Sequence, residues 1–311
     1  MSEKIATRVA YGKTLAEIGH NENIIVLDAD LSASTKTDMF KKKYPERHIN
    51  IGIAEANMMA IAAGLASCGK TVFASTFAMF AAGRSFDQVR NSIGYPHLNV
   101  KIGATHAGIT VGEDGASHQA IEDIALMRSI PGMTVVSPAD AVATNALVKQ
   151  AADMVGPVYL RLGRLDVPVI YPDDSKFEIG KGITIKDGTD ITFIANGYMV
   201  HQALQAAEVL NNEGISIRVI DIHTIKPLDS EIIIKAAKET GAIVTCEEHN
   251  VIGGLGSAVA EVLVKNYPVP VEMVGIEDVF GKSGKPAKLV EMYGLTAEKV
   301  IEKARKLLSR K

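Results

Sequence analysis

Short β-branched runs alternate with longer stretches of helical period along most of the chain. NIIVLDAD (23–30), HINIGI (48–53), TVFAST (71–76), LNVKIGA (98–104), TVVSPAD (134–140) and VYLRLG (158–163) read as strands, and helical spacing of apolar residues fills the gaps between them. Parallel strands need crossover connections, and right-handed crossovers cover both sides of a sheet. The pattern therefore predicts a mostly parallel sheet with helices on both faces. Around residues 165–189 the periodicity lapses into LDVPVIYPDDSKFEIGKGITIKDGT, rich in Pro, Gly, Asp and Lys. It restarts with DITFIANG (190–197), a helix from about Met199, ISIRVIDIH (215–223), AIVTCEEH (242–249), a helix after GGLGSAV, and VEMVGIED (271–278). The expected fold is α/β with two open, mostly parallel sheets: residues 1–171 form a first domain, 172–189 a linker and 190–311 a smaller second domain.

Composition agrees with a folded chain of this kind. At 311 residues it is long enough for two domains, each burying its own core, and 47% hydrophobic with 22% charged residues is ordinary for a globular α/β protein. A net charge of −3 gives no long-range attraction for nucleic acid or an anionic membrane, and no Lys/Arg run forms a tail. Cys68 and Cys246 are too few and too far apart for a disulfide framework or a metal motif, so a reducing compartment, the cytoplasm, is expected. MSEKIATRV lacks the apolar stretch of a signal peptide, and no run long enough to span a membrane follows.

Candidate chemistry concentrates in three segments. The first follows the strand LNVKIGA: His106 and His118, Glu113 and Asp114, and Gly108, Gly112 and Gly115 crowd into THAGITVGEDGASHQ. A loop leaving the carboxyl end of a parallel strand is where open α/β sheets place ligands, and glycines let the backbone approach them. A single His is ordinarily a surface or capped residue, but this density points to a functional loop with His106 and His118 as hydrogen-bond or proton partners. Their spacing fits no common metal-ligand pattern. In the second, IGIAEANM, Glu55 opens the helix MMAIAAGLASCG, which is apolar nearly all round and so expected to be buried; Glu55 either complements the helix dipole or is a buried acid in need of a partner. In the third, FASTFAMF, Phe77 and Phe80 stand where a strand gives way to a helix and serve either the core or a ring-stacking platform. Gly253-Gly254-Leu255-Gly256 matches no phosphate-loop pattern and reads as a tight turn into a helix.

Taken in order, IGIAEANM, STFAMF, THAGITVGEDGASHQ and VYLRLGR resemble the pyrimidine-binding domain of transketolase. The part from residue 190, with DIHTIKPLD, resembles the C-terminal domain that follows in transketolases and related thiamine enzymes, so the resemblance covers essentially the whole chain. It implies thiamine diphosphate seated between two chains or domains, and transfer of a two-carbon ketol unit from a ketose phosphate to an aldose phosphate through the cofactor's ylid. Glu55 matches the glutamate that hydrogen-bonds the aminopyrimidine and favours its imino form. Phe77 and Phe80 match the aromatics that pack on that ring, while a third family aromatic is Gly83 here. The resemblance further places Asp114 at a substrate hydroxyl, His118 at the carbonyl side, His106 toward the phosphate end, Arg8, Ser34 and Arg164 around the sugar phosphate, and Asp30 near the thiazolium. Arg suits the phosphate because its planar fork gives two hydrogen bonds.

The family binds the diphosphate through a metal held by a Gly-Asp-Gly motif and a downstream Asn in a separate N-terminal domain, and this chain contains no Gly-Asp-Gly. The resemblance therefore implies an N-terminal transketolase subunit as partner. That subunit would carry the diphosphate and a divalent metal such as Mg, in a heterotetramer with two copies of each chain. Rival readings are a 1-deoxyxylulose-5-phosphate synthase, the beta subunit of a thiamine-dependent 2-oxo acid dehydrogenase, and a noncatalytic relative that only binds. His106 with GEDGASHQ favours a sugar-phosphate transketolase over the first two. Glu55, Asp114 and both His argue against the third.

Overall fold

The structure, a computed structural model, describes residues 3–310. Each strand predicted from the pattern is present, and two open sheets result. The first has seven strands in the order Thr224–Lys226, Thr134–Val136, Val158–Arg161, Val100–Thr105, Thr71–Phe77, Ile24–Asp28, His48–Asn50. All neighbours run parallel except Thr224–Lys226, which lies antiparallel on Thr134–Val136. Strands buried on both faces read as continuous apolar runs, and along Thr71–Phe77 the two faces feed separate cores. Phe73 packs with Tyr11, Leu15 and Leu147 of the helices Thr7–Ile18 and Ala141–Asp153. Val72 and Ala74 pack with Met58, Met59 and Ala62 of the helix Glu55–Ser67.

The second sheet has five strands in the order Val271–Ile276, Ile243–Asn250, Ile191–Ala195, Ile217–Asp221, Ile183–Lys186, the last antiparallel. Ile183–Lys186 lies inside the span 172–189 read as a linker, so that span is partly sheet: ITIK is a short alternating edge strand hidden among Gly, Lys and Asp. Helices Met199–Asn212 and Ala297–Leu308 cover one face of this sheet, and Ser230–Thr240 and Leu255–Asn266 cover the other. Lys4–Ala6 and Asp166–Pro168 add a small antiparallel pair.

Two local readings change. The strand expected over 134–140 stops at Val136, because the Asp140 carboxylate caps the next helix by accepting the Ala143 amide at 2.8 Å. The helix Glu55–Ser67 is not buried all round: Asn57, Ala60, Gly64 and Ser67 form an exposed stripe of largely small residues.

Candidate active site

Strands Thr71–Phe77 and Val100–Thr105 pair in register up to Phe77 opposite Thr105, so Phe77 and His106 leave the sheet's carboxyl edge side by side. Their rings stack with centroids 3.9 Å apart. Phe80 lies nearly parallel to Phe77 at 5.7 Å, and the half-buried His118 ring presents its edge to Phe80 at 5.2 Å. Glu55, 2% exposed at the first turn of its helix, faces the same cluster through Arg84, whose Nη1 donates to Oε1 at 3.0 Å and Oε2 at 2.9 Å. The Arg84 guanidinium lies over the Phe80 ring, 4.4 Å from its centroid. A side chain at Gly83 would collide with the Met79 methyl, which occupies that flank.

A cationic group borders the aromatic one. Arg8 Nη1 donates to the Ser34 carbonyl at 2.7 Å and its Nε to the Arg164 carbonyl at 3.4 Å, while Arg164 donates to the Val111 carbonyl and lies 3.7 Å from Glu113. The turn bearing Ser34 and Lys36 is held by the buried Asp28 carboxylate, which accepts from the Leu31 amide, Thr35 Oγ1 and Thr37 Oγ1. Burial, then the charges of Arg8, Arg164 and Lys36, push His106 down to about 3. A neutral imidazole is thus fixed among cations, with Nδ1 2.9 Å from Thr105 Oγ1. The His106 ring resonances are therefore expected to show no titration between about pH 5 and 8 in NMR spectra. A midpoint near the ordinary histidine value would contradict this environment.

The structure brings Glu55, Phe77, Phe80, His106 and His118 into one cluster and Arg8, Ser34 and Arg164 into its border. Asp30 stands apart: it is exposed, with backbone φ of 66°, and its carboxylate accepts from Asn50 Nδ2 at 3.0 Å. Asp114 is exposed at the loop tip with no side-chain hydrogen bond among the described residues. Sequence reasoning missed Arg84 and Lys36. Arg84 ends the π-helical turn Phe80–Arg84, whose wider spacing hides which residues share a face. The missed signal for Lys36 is its closeness in sequence to Ser34.

Gly253-Gly254-Leu255-Gly256 is occupied from within. The Glu247 carboxylate accepts the amides of Leu255 at 2.7 Å and Gly256 at 2.8 Å, and a Cβ on Gly254 would fall 1.9 Å from Glu247 Oε2. The helix start is satisfied by the chain's own carboxylate, and the glycine makes room for it.

The family model for the transketolase pyrimidine-binding domain matches residues 3–169, and that for the transketolase C-terminal domain matches residues 180–300. A protein described as the C-terminal section of a transketolase from Methanocaldococcus jannaschii is 52% identical over 300 residues, covering 95% of this chain and 94% of its own. A 6-deoxy-6-sulfo-D-fructose transketolase subunit from a Clostridium species is 44% identical over 291 residues, covering 94% and 90%. Among solved structures, a split-gene transketolase described as an inactive β4 tetramer superposes with a TM-score of 0.92 at 58% identity, covering 98% of this chain and 99% of its own. The chain belongs to the transketolase family and consists of that family's pyrimidine-binding and C-terminal domains in succession.

Proposed function

We propose that this chain is the C-terminal subunit of a two-chain transketolase that moves a two-carbon ketol unit from a ketose phosphate to an aldose phosphate, with thiamine diphosphate held between the chains. The observation that carries the reading is the place of Arg84. Its flat cation lies on Phe80 and meets both oxygens of the buried Glu55, and these are the contacts an aminopyrimidine sharing a proton with the carboxylate would use. The residues present therefore fit the group. When bound, thiamine diphosphate supplies the nucleophilic carbon and the sink for the electrons of the broken carbon–carbon bond. Glu55 would hold a proton at the ring nitrogen, in a low-dielectric position that strengthens the bond. Phe77 and Phe80 would fix the ring plane. His106, neutral, and the half-buried His118 would bond substrate oxygens, Asp114 a hydroxyl, and Arg8, Arg164 and Lys36 the phosphate. Asp30, exposed and outside this cluster, would be a lesser contact near the thiazolium.

The diphosphate and a divalent metal such as magnesium would be held by an N-terminal subunit, two copies of each chain making a heterotetramer. Two features support a partner: the relatives described as a transketolase C-terminal section and a transketolase subunit are matched over 94% and 90% of their own length, and beside Glu55 the chain exposes Ile53 at 78% together with the stripe through Ala60 and Gly64. The absence of paired cysteines favours the cytoplasm; Cys68 is exposed and Cys246 buried. No described helix is long and apolar enough to cross a membrane.

The test mixes this chain with an N-terminal transketolase chain carrying Gly-Asp-Gly, thiamine diphosphate and magnesium, and supplies xylulose 5-phosphate with ribose 5-phosphate. Formation of sedoheptulose 7-phosphate is the expected result. Its absence in an assembled complex, or carbon dioxide release from pyruvate, overturns the reading. The Clostridium relative motivates a second donor, 6-deoxy-6-sulfofructose, because Arg8, Arg164 and Lys36 suit a sulfonate as well as a phosphate.

A further inference from the structure

The loop Thr105–Gln119 carries both histidines and Asp114, yet Gly108, Gly112 and Gly115 sit at φ of +80°, +92° and +75°, and three residues without a Cβ give the chain little rigidity of its own there. Besides Arg164 and the backbone bonds of Ala107 and Gly108 to Leu162 and Ala120, several of its fixed points come from the second half of the chain. Glu248, 4% exposed at the end of Ile243–Asn250, accepts the Thr110 amide on Oε1 at 2.8 Å. A Cβ on Gly108 would stand 2.1 Å from that oxygen, so the glycine is what admits the carboxylate. Gln119, 2% exposed, donates from Nε2 to the Lys282 carbonyl at 2.9 Å and to the loop carbonyl of Ile109 at 3.2 Å. Ser283 Oγ donates to the Glu113 carbonyl. The residue after Thr110 is the one whose carbonyl receives Arg164. Glu248 is in turn set by Arg161, which donates to its backbone carbonyl at 2.9 Å.

We infer that Glu248 is a positioning residue for substrate binding: its side chain, brought from the C-terminal domain, fixes the Ile109–Val111 turn on which the placing of Arg164, His106 and the loop beyond depends. The inference rests on the proposed ketol transfer for its meaning but not for its geometry. Burial pushes the Glu248 carboxyl up and Arg161 pulls against this, so the group serves the Thr110 amide as an acceptor oxygen whatever its charge. A glutamine can supply that oxygen; an alanine cannot.

Two measurements on Glu248→Ala and Glu248→Gln test it. In the isolated chain, hydrogen–deuterium exchange of amides 108–116 is expected to rise about tenfold or more in Glu248→Ala, matching the loss of one hydrogen bond to a buried acceptor, and to stay near the parent in Glu248→Gln. In the assembled complex, Glu248→Ala is expected to raise KM for xylulose 5-phosphate about tenfold. Thiamine diphosphate affinity, read by calorimetry, should be unchanged, and Glu248→Gln should recover most of the KM. Unchanged exchange in Glu248→Ala, or equal KM in parent and both variants despite lowered melting temperatures, overturns the inference. A parent complex without ketol transfer but with the exchange pattern intact removes the proposed function and leaves the positioning role standing.

Discussion

Glu55→Ala in the assembled two-chain enzyme is expected to lower ketol transfer by about 10²- to 10⁴-fold, the range over which a positioned proton-transfer group acts, while the chains still associate. The carboxylate is buried and tied to Arg84 on the Phe80 ring, and no other carboxylate among the described residues is hydrogen-bonded to that guanidinium, so none stands ready to replace it. Glu55 and Arg84 also predict unequal effects on the isolated chain. Removing Glu55 leaves a half-exposed guanidinium in reach of water, and the melting temperature should change little. Arg84→Met instead leaves a buried carboxylate without its cation, at a cost of about 1–3 kcal/mol, which a thermal scan resolves. Parental turnover in Glu55→Ala would remove the mechanism, and equal melting temperatures in the two variants would remove the account of the pair.

The largest effect on stability is expected from Arg161→Met. Arg161 and Asp123 are 6% and 0% exposed at the junction of the two sheets, joined at 2.8 Å and 3.1 Å, with Tyr159 donating to the same carboxylate at 2.9 Å. Burial is the largest single influence and opposes the charged guanidinium, but the charge and hydrogen bond of Asp123 together with the charge of Glu248 raise its pKa. Removing one partner strands the other charge in a low-dielectric interior, so a loss of about 3–5 kcal/mol is expected from denaturant titration. Arg161→Lys should recover little, since an ammonium cannot span Asp123, the Ala120 carbonyl and the Glu248 carbonyl together. Asp123→Asn combined with Arg161→Met should be less damaging than the sum of the two, because no unpaired charge remains. A loss below about 1 kcal/mol in Arg161→Met would show that water reaches the pair.

The sequence pattern revealed the architecture wherever strands are buried on both faces, because a short, continuous apolar run between helical stretches suits little except a strand covered on both sides. It failed at Lys4–Ala6, Asp166–Pro168, Ile183–Lys186 and Thr224–Lys226, which are short and pair antiparallel, so they carry too few residues to establish a period. The aromatic, histidine and Glu55 segments were visible because each concentrates unusual residue types in a short stretch. Arg84 was not, since its partner lies 29 residues upstream. Glu248 is 138 residues from Thr110 and was equally hidden. A signal did exist in Glu247-Glu248-His249: three titratable residues in succession on a strand cannot all alternate outward, so some had to find partners inside.

The first sheet does not finish with residues of its own half. Its outermost strand, Thr224–Lys226, arrives after the chain has already entered the second sheet, and Ser137 is tied to the His223 carbonyl beside it. Loss of the second half, or its exchange for one without an equivalent strand, would therefore leave one side of Thr134–Val136 with bare backbone amides and carbonyls, an adhesive rim open to foreign chains. Successful chimeras should be those whose incoming second half brings a strand that fits the edge of Thr134–Val136, so that the two halves answer to each other across one shared seam.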